Sequence, residues 1–217
     1  MNTTCYRYLL LLLACLWGIG GCGDKNSPSR KSQDIIPPEA DIRAALIGED
    51  IFGKAEGAYL AGKYRYHDLV PLLRKNARDK SWYVRYNSLS ALLKLKNTES
   101  LPLFLECIQD RNSSVRFKSL EALAEIGDRT SLPIIISKLN DKSIYVRAAA
   151  AYSLGKLKML KAVPPLIDHL SPREEEMVRF EAHLALTRIT GQDFPAQQDL
   201  WQKWWGASAT MKAVPTP

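Results

Sequence analysis

The chain has few of the residues that build metal centres and nucleophilic active sites. It contains three histidines in 217 residues, and His67, His169 and His183 form neither a His-x-x-x-His pair nor a metal-ligand spacing with a cysteine. Neither a Walker motif nor a G-x-S-x-G motif occurs. Because the sequence offers no catalytic, cofactor-binding or metal-binding residues, it predicts a protein that is not an enzyme and that carries no cofactor.

Cysteine is nearly absent from the body of the chain. Three of the four cysteines fall within the first 22 residues, so Cys107 stands alone after them. A lone thiol cannot form an internal disulfide framework. Cys107 lies in an apolar helical pattern, and we expect it to be a small core residue.

No apolar run in the chain is long enough to cross a bilayer. The run from Tyr8 to Trp17 is only half the length of a membrane-spanning helix, which needs about 20 residues. Positive charge at Arg7 precedes this run, and small residues, mostly glycine, follow it. That order is typical of a secretory signal, so we expect residues 1–21 to be a signal peptide.

The residues around Cys22 carry a more specific signal. Ile19-Gly20-Gly21-Cys22 resembles the lipobox of bacterial lipoproteins, in which an aliphatic residue and two small residues precede the modified cysteine. The resemblance implies cleavage before Cys22, acylation of Cys22 and anchoring in the bacterial cell envelope. The alternative is ordinary signal cleavage beside a chance cysteine. Gly23 follows where Asp would mark inner-membrane retention in enterobacteria, and this analogy favours the periplasmic face of the outer membrane.

The next segment and the overall charge bear on partners. Residues 22–38 are rich in Ser, Pro and charge and cannot bury enough apolar surface to fold, so we expect a flexible linker. Lys and Arg exceed Asp and Glu by 30 to 23, which gives a net charge of +7. Such an excess fits a polyanionic partner of the cell envelope or simply a solvated repeat surface, and we expect no nucleic acid.

A pattern with a period of 31 residues runs through the middle of the chain. Three kinds of landmark recur at that step: Asp79, Asp110 and Asp141; Val84-Arg85, Val115-Arg116 and Val146-Arg147; and Leu101-Pro102, Leu132-Pro133 and Val163-Pro164. A fixed period of about 20 to 50 residues is typical of solenoid proteins.

Each repeat unit has the pattern of two helices. A proline lies near the start of the first helix, where the missing N–H costs little, at Pro71, Pro102, Pro133 and Pro164. Good N-cap residues precede the second helix at Ser81, Asn112 and Ser143. Ser171 to Glu174 fits a capping box in the fourth unit. Apolar residues follow helical spacing without strand-like alternation, so no β-strand is expected.

Together these residues resemble the HEAT repeat, specifically its short form in the bilin-lyase-like group. The resemblance covers about Val70 to Gly191. It implies an all-α fold, an α-solenoid of about five antiparallel helix pairs. We expect the repeat domain at residues 39–206, with a degenerate first repeat and a short capping helix from Gln197 to Trp205, and a disordered tail at 207–217. On that helix Trp201, Trp204 and Trp205 share one face and should form a lid over the last repeat.

The HEAT resemblance also implies a ladder of ion pairs between neighbouring units. Its members are Asp79, Asp110 and Asp141 with Arg85, Arg116 and Arg147. Arg179 lacks an acid at the matching place, and we expect the ladder to end there. Anion binding by these arginines is the functional alternative to this structural role.

Two related activities find little support in the residues. The di-iron deoxyhypusine hydroxylases carry repeated His-Glu pairs, and no His-Glu dipeptide occurs here. Bilin lyases act with a partner subunit on a pigment protein, and the sequence indicates neither. A bilin-lyase-like factor or enzyme subunit stays open as an alternative.

One surface remains as a candidate binding site. Positions one turn away from the core face of the second helices should line the inner curve of the stack, and they carry aromatic side chains among polar ones: Tyr83, Tyr86, Phe117, Glu121, Tyr145, Tyr152, Met177 and Phe180. This mixture is typical of interaction hot spots, although such rings also fill gaps between repeats. The sequence therefore predicts a monomeric, lipid-anchored scaffold that binds another protein. Binding of envelope polyanions through the basic surface is the second alternative.

Overall fold

A computed structural model describes residues 36–212, and the side chains of residues 36–207. The predicted signal peptide, Cys22, most of the linker and the last five residues lie outside the described residues.

The described chain is all helical, with eleven α-helices and no strand between residues 36 and 212. The helices are α1 (Glu39–Ile47), α2 (Ile51–Lys63), α3 (Val70–Asn76), α4 (Trp82–Lys94), α5 (Leu101–Cys107), α6 (Ser113–Ile126), α7 (Leu132–Ser137), α8 (Ile144–Leu157), α9 (Val163–Asp168), α10 (Glu176–Thr190) and α11 (Gln198–Lys212). Short 3-10 turns flank the first helices of the repeats at His67–Leu69, Thr98–Ser100, Lys138–Asn140 and Leu160–Ala162.

The helices form five consecutive pairs, and this confirms the predicted α-solenoid. The second helices (α2, α4, α6, α8 and α10) pack side by side along the stack, while the short first helices (α3, α5, α7 and α9) contact their own partners more than one another. In solenoids the helices of one layer line a concave surface, and we call the more closely packed layer of second helices the concave layer.

The concave layer is held close by small side chains. A Cβ added to Gly155 would lie 2.7 Å from the Cα of Ala185, and one added to Gly62 would lie 2.9 Å from the Cα of Ala91. The two glycines are three repeat steps apart and occupy the same place in α2 and α8. Between α6 and α8, Ser153 donates its hydroxyl to the Leu120 carbonyl at 3.2 Å. Gly62 thus allows α2 to pack closely against α4, and Gly57 allows the same helix to pack closely against α1.

Helix starts follow the predicted pattern in three repeats. Proline lies in the first turn of α3, α5, α7 and α9. Ser81, Asn112 and Ser143 occupy the N-cap position of α4, α6 and α8. Only the Asn112 side chain, among these three, accepts a capping bond, from the Ser114 N–H at 2.9 Å. The capping residues are therefore placed as predicted, but serine does not cap through its side chain.

The capping box predicted at Ser171 to Glu174 is wrong. Helix α10 begins at Glu176, with Glu175 at the N-cap position. The Glu174 carboxylate instead accepts hydrogen bonds from Arg147 at 2.8 Å and lies 2.8 Å from His169 Nδ1. The same carboxylate also accepts from the Glu175 N–H at 2.9 Å and does not reach back to Ser171, so the helix starts later than the sequence pattern suggested.

The carboxyl end closes the last repeat with a longer helix than predicted. Trp201 of α11 is fully buried, and its Nε1 donates to the Pro195 carbonyl at 3.0 Å. The ring of Phe194 lies edge-on to Trp201, with centroids 5.3 Å apart, and the Trp204 ring lies at 5.9 Å. Helix α11 runs to Lys212, so residues 207–212 are helical where the sequence predicted a disordered tail.

Candidate protein-interaction surface

Buried Arg–Asp pairs join neighbouring repeats. Nε and Nη2 of Arg85 donate to the two carboxylate oxygens of Asp110, both at 2.7 Å. Arg116 binds Asp141 in the same way, at 2.8 and 2.5 Å. The four side chains are 10% exposed or less, and each arginine also donates to carbonyl oxygens of its own repeat. With their donors used within the fold, Arg85 and Arg116 hold repeats together and are not placed to bind an external anion.

The ladder extends beyond the predicted residues at both ends. Lys54 donates to Asp79 at 2.9 Å at the amino end, and Arg147 binds Glu174 at the carboxyl end. Lys54 lies 31 residues before Arg85, so the period could have identified it. Glu174 could not be found this way, because the repeat slips by one residue before α10 and Arg173 stands near the expected place.

Hydrogen bonds keep the ladder acids charged. Burial acts to raise the pKa of Asp141, but the bonds from Arg116 and from the Ser143 N–H outweigh it and hold the pKa below its usual range. The same balance lowers the pKa of Glu174, where Arg147 is the strongest partner, and of Asp79. These carboxylates are thus set for structural ion pairing.

The exposed face of the concave layer is built from residues in register. The first turns of successive second helices present one row of equivalent positions: Phe52, Tyr83, Ser114, Tyr145 and Met177. Except for Ser114, these side chains are exposed, from 40% for Tyr83 to 74% for Phe52. One turn further along lie Tyr86, Phe117 and Phe180. Large side chains thus follow the concave face from repeat to repeat.

A groove interrupts this row at its centre. Ser114 places a small side chain between Tyr83 and Tyr145, and the space left has a volume of about 370 Å³. It is lined by Trp82, Tyr83, Tyr86, Ser113, Ser114, Phe117 and Tyr145. The volume lies within the range of about 300–1,000 Å³ that is usual for ligand-binding clefts. The groove therefore exists because one repeat lacks the ring that its neighbours carry.

The eight predicted surface residues do not form a single site. Four of them line the groove: Tyr83, Tyr86, Phe117 and Tyr145. Tyr152, Met177 and Phe180 are exposed on α8 and α10, outside the groove. Glu121 is half-buried and pairs with Lys118, whose Nζ lies over the Tyr86 ring at 5.2 Å from its centre.

Sequence reasoning missed two rings beside this groove. Trp82 packs edge-on against Tyr83 with ring centroids 5.7 Å apart, and Phe52 lies 6.2 Å from Tyr83. Phe52 stands 31 residues before Tyr83, so the period of the repeat could have identified it as a member of the same row. No comparable signal marked Trp82, which has no aromatic counterpart in the other repeats.

Two potentially reactive side chains outside this surface, Cys107 and His183, make contacts within the fold. Cys107 is buried, and burial raises the pKa of its thiol to about 12. The Nε2 atom of His183 lies 2.7 Å from the Phe194 carbonyl oxygen. Across the part of the chain that the structure describes, no three His, Cys, Asp or Glu side chains gather as metal ligands. No helix there has the length and apolar character to cross a membrane.

Family comparison agrees with this architecture. A family model described as HEAT repeats matches residues 70–137, 101–187 and 132–202. These matches cover more than half of the chain, which therefore belongs to the HEAT-repeat family. No curated protein sequence matches this chain.

Solved structures with the same fold include natural and designed solenoids. A chain of the CpcE–CpcF complex of phycocyanin lyase from Nostoc sp. PCC7120 superimposes with a TM-score of 0.64 at 20% identity, covering 86% of this chain and 73% of that chain. YibA of Escherichia coli superimposes with a TM-score of 0.60 at 21% identity, covering 69% of this chain and 60% of YibA. The designed armadillo repeat protein YIII(Dq)4CqI gives 0.55 at 17% identity, covering 82% and 94%. At these identities the likeness establishes the fold.

Proposed function

We propose that this HEAT-repeat protein is a monomeric, lipid-anchored scaffold of the bacterial cell envelope that binds another protein through its aromatic groove. The observation that carries the proposal is the groove at Ser114, an apolar cleft on a face whose neighbouring rings are exposed. Exposed Tyr and Trp side chains contribute much of the binding energy in protein interfaces. Here they stand on packed helices, so little conformational entropy is lost when a partner orders them.

The groove fits one large side chain of a partner. Tyr83 and Tyr145 stand on either side of Ser114, and Tyr86 and Phe117 lie one turn further along α4 and α6. An aromatic or branched apolar side chain inserted there would contact rings on three consecutive repeats. We propose that such an anchor, with polar contacts at the rim, gives the partner its affinity.

Photo-crosslinking tests this function directly. A photoreactive phenylalanine analogue placed at Phe117 in cells should form one discrete adduct with a partner protein. The matched control carries the analogue at Leu160, which is exposed but lies on the turn between two repeats. A discrete adduct from Leu160 but not from Phe117 would move the interaction away from the groove.

The anchor part of the proposal rests on Ile19-Gly20-Gly21-Cys22. A diacyl anchor holds a protein stably on a bilayer, where a single acyl chain gives only weak binding. Cys22→Ala should therefore move the protein from the membrane fraction to the soluble fraction once the membranes are washed at high salt, which screens charge-based contacts with lipid headgroups. Unchanged membrane association of this variant would contradict the lipoprotein assignment.

A second candidate function is a bilin-lyase-like factor or enzyme subunit. The groove volume of about 370 Å³ favours it, because that space would also hold part of a small planar ligand. This candidate predicts a visible absorbance band in protein purified from its native membranes. A colourless preparation that still forms the Phe117 adduct supports the scaffold instead.

A further inference from the structure

The turns that join one repeat to the next place basic residues in a strained backbone conformation. Arg65, Lys96 and Lys158 have φ values of 60°, 52° and 51°. Together with Gly127, which has φ 75°, they occupy the same place in four repeats, 31 residues apart. Residues other than glycine seldom adopt this region. Basic residues at positions that suit glycine indicate that their charge has a use beyond the local fold.

These cations are available to a partner. Arg65, Lys96, Lys158 and the neighbouring Lys161 are all exposed. Among the described residues, none of the four lies within salt-bridge distance of a carboxylate; the ion pairs found there involve other side chains. We call these four residues the basic edge.

Acidic side chains nearby are largely engaged with other groups. Glu99 pairs with Arg74 at 3.2 Å, and Glu125 pairs with Lys156. Asp128 accepts hydrogen bonds from the residues of its own turn. Exposed acids also lie towards the two ends of the edge, at Asp68 and Asp193. Asp128 stays ionised, because its hydrogen bonds outweigh its burial and hold its pKa below the usual range, but Lys96, Lys158 and Lys161 outnumber it and give the central part of the edge a net positive charge.

The amino-terminal linker enters the domain at this same edge. The hydroxyl of Tyr66, the residue after Arg65, donates to the Pro37 carbonyl at 2.8 Å. The stretch from Cys22 to Pro37 spans at most roughly 50 Å when fully extended. A lipid on Cys22 would thus keep the basic edge within reach of the bilayer.

We propose that the basic edge binds the anionic phospholipid headgroups of the membrane that anchors the chain. The proposal rests on the lipid anchor of the proposed function. The aromatic groove lies at the opposite ends of the second helices, which have 13 to 14 residues in α4 and α8 and are therefore about 20 Å long. Headgroup binding along the edge would hold the groove facing away from the bilayer, open to a partner.

Vesicle binding separates this surface from the anchor. The chain from Gly23 to Pro217 keeps the whole described domain and its core but lacks Cys22, so any binding is independent of the lipid. We expect it to sediment with vesicles containing phosphatidylglycerol and not with pure phosphatidylcholine. The test variant is Arg65→Gly with Lys96→Gly and Lys158→Gly. At roughly fivefold per cation, it should bind roughly 100-fold more weakly.

A control variant removes the same charge from the other edge. Lys80, Arg111 and Lys142 are also exposed and 31 residues apart, on the turns within repeats. Changing all three to Gln should leave vesicle affinity at the wild-type level. Equal loss in both variants, or none in the glycine variant, would overturn the proposal, as would equally tight binding of soluble polyphosphate.

The melting temperature distinguishes headgroup binding from a local role for these cations. Cations near a helix C-terminus can stabilise it through the helix dipole. If that were their only role, the glycine variant would melt at a lower temperature. We expect it to melt at the same or a higher temperature, because glycine relieves the left-handed backbone. Failure of these measurements leaves the Cys22→Ala fractionation result unaffected, so the two proposals can fail separately.

Discussion

At the scale of single residues, the charged side chains described here mainly connect neighbouring repeats through buried ion pairs. Arg116 is 4% exposed and makes two hydrogen bonds to Asp141 across the repeat boundary, as Arg85 does to Asp110. A buried pair of this kind adds little net stability compared with an apolar pair, but losing one partner leaves an uncompensated charge. We therefore expect the ladder to specify how neighbouring repeats align.

Asp141→Ala should destabilise the fold by about 3–5 kcal/mol, because it leaves the Arg116 guanidinium buried without its carboxylate. The comparison is Glu121→Ala, which removes the more exposed partner of Lys118 and should cost about 0–1 kcal/mol. Urea unfolding monitored by circular dichroism gives both values. A similar loss of unfolding free energy in the two variants would contradict a larger structural role for the buried Arg116–Asp141 pair.

The lowered pKa values of Asp79, Asp141 and Glu174 predict that the folded protein loses stability in acid. A carboxyl group with a lowered folded-state pKa stabilises the fold above its unfolded pKa of about 4, and this contribution is lost as pH falls through the folded value. The free energy of unfolding should thus drop below about pH 4. In Asp141→Asn the drop should be shallower. Parallel curves for both proteins would refute the assignment.

At the scale of helices, how closely two neighbouring helices pack depends on the size of the side chain at their point of contact. The period and its helical spacing predicted the helix pairs. It did not predict the start of α10, because Glu174 bonds to Arg147 of the preceding repeat instead of capping its own helix. Long-range partners of this kind cannot be derived from local pattern.

Gly155→Ala should destabilise the protein by about 1–3 kcal/mol, because the added Cβ would lie 2.7 Å from the Ala185 Cα on a rigid helix. Gly206→Ala is the matched control. Apart from its chain neighbours and its own helix backbone, no described atom lies within 4 Å of its added Cβ, and alanine in a helix should stabilise by up to about 1 kcal/mol. Melting temperatures should move in opposite directions, and a rise for Gly155→Ala would contradict the packing described.

At the scale of the whole molecule, the repeated residues specify the fold and the residues that vary between repeats create the surface. The aromatic row could be anticipated from helical spacing. The groove could not, because its shape depends on how far apart α4, α6 and α8 stand where Ser114 replaces a ring. The extent of α11 was also missed, since the residues after Trp205 show little apolar pattern.

Filling the groove tests most directly whether a partner protein binds there. Ser114→Trp would occupy the space between Tyr83 and Tyr145, while the matched Ser137→Trp adds the same ring to an exposed position on the outer layer. With the photoreactive analogue at Phe117 in both proteins, we predict that the partner adduct disappears for Ser114→Trp and persists for Ser137→Trp, with both still folded. An undiminished adduct in folded Ser114→Trp would contradict a partner bound in the groove.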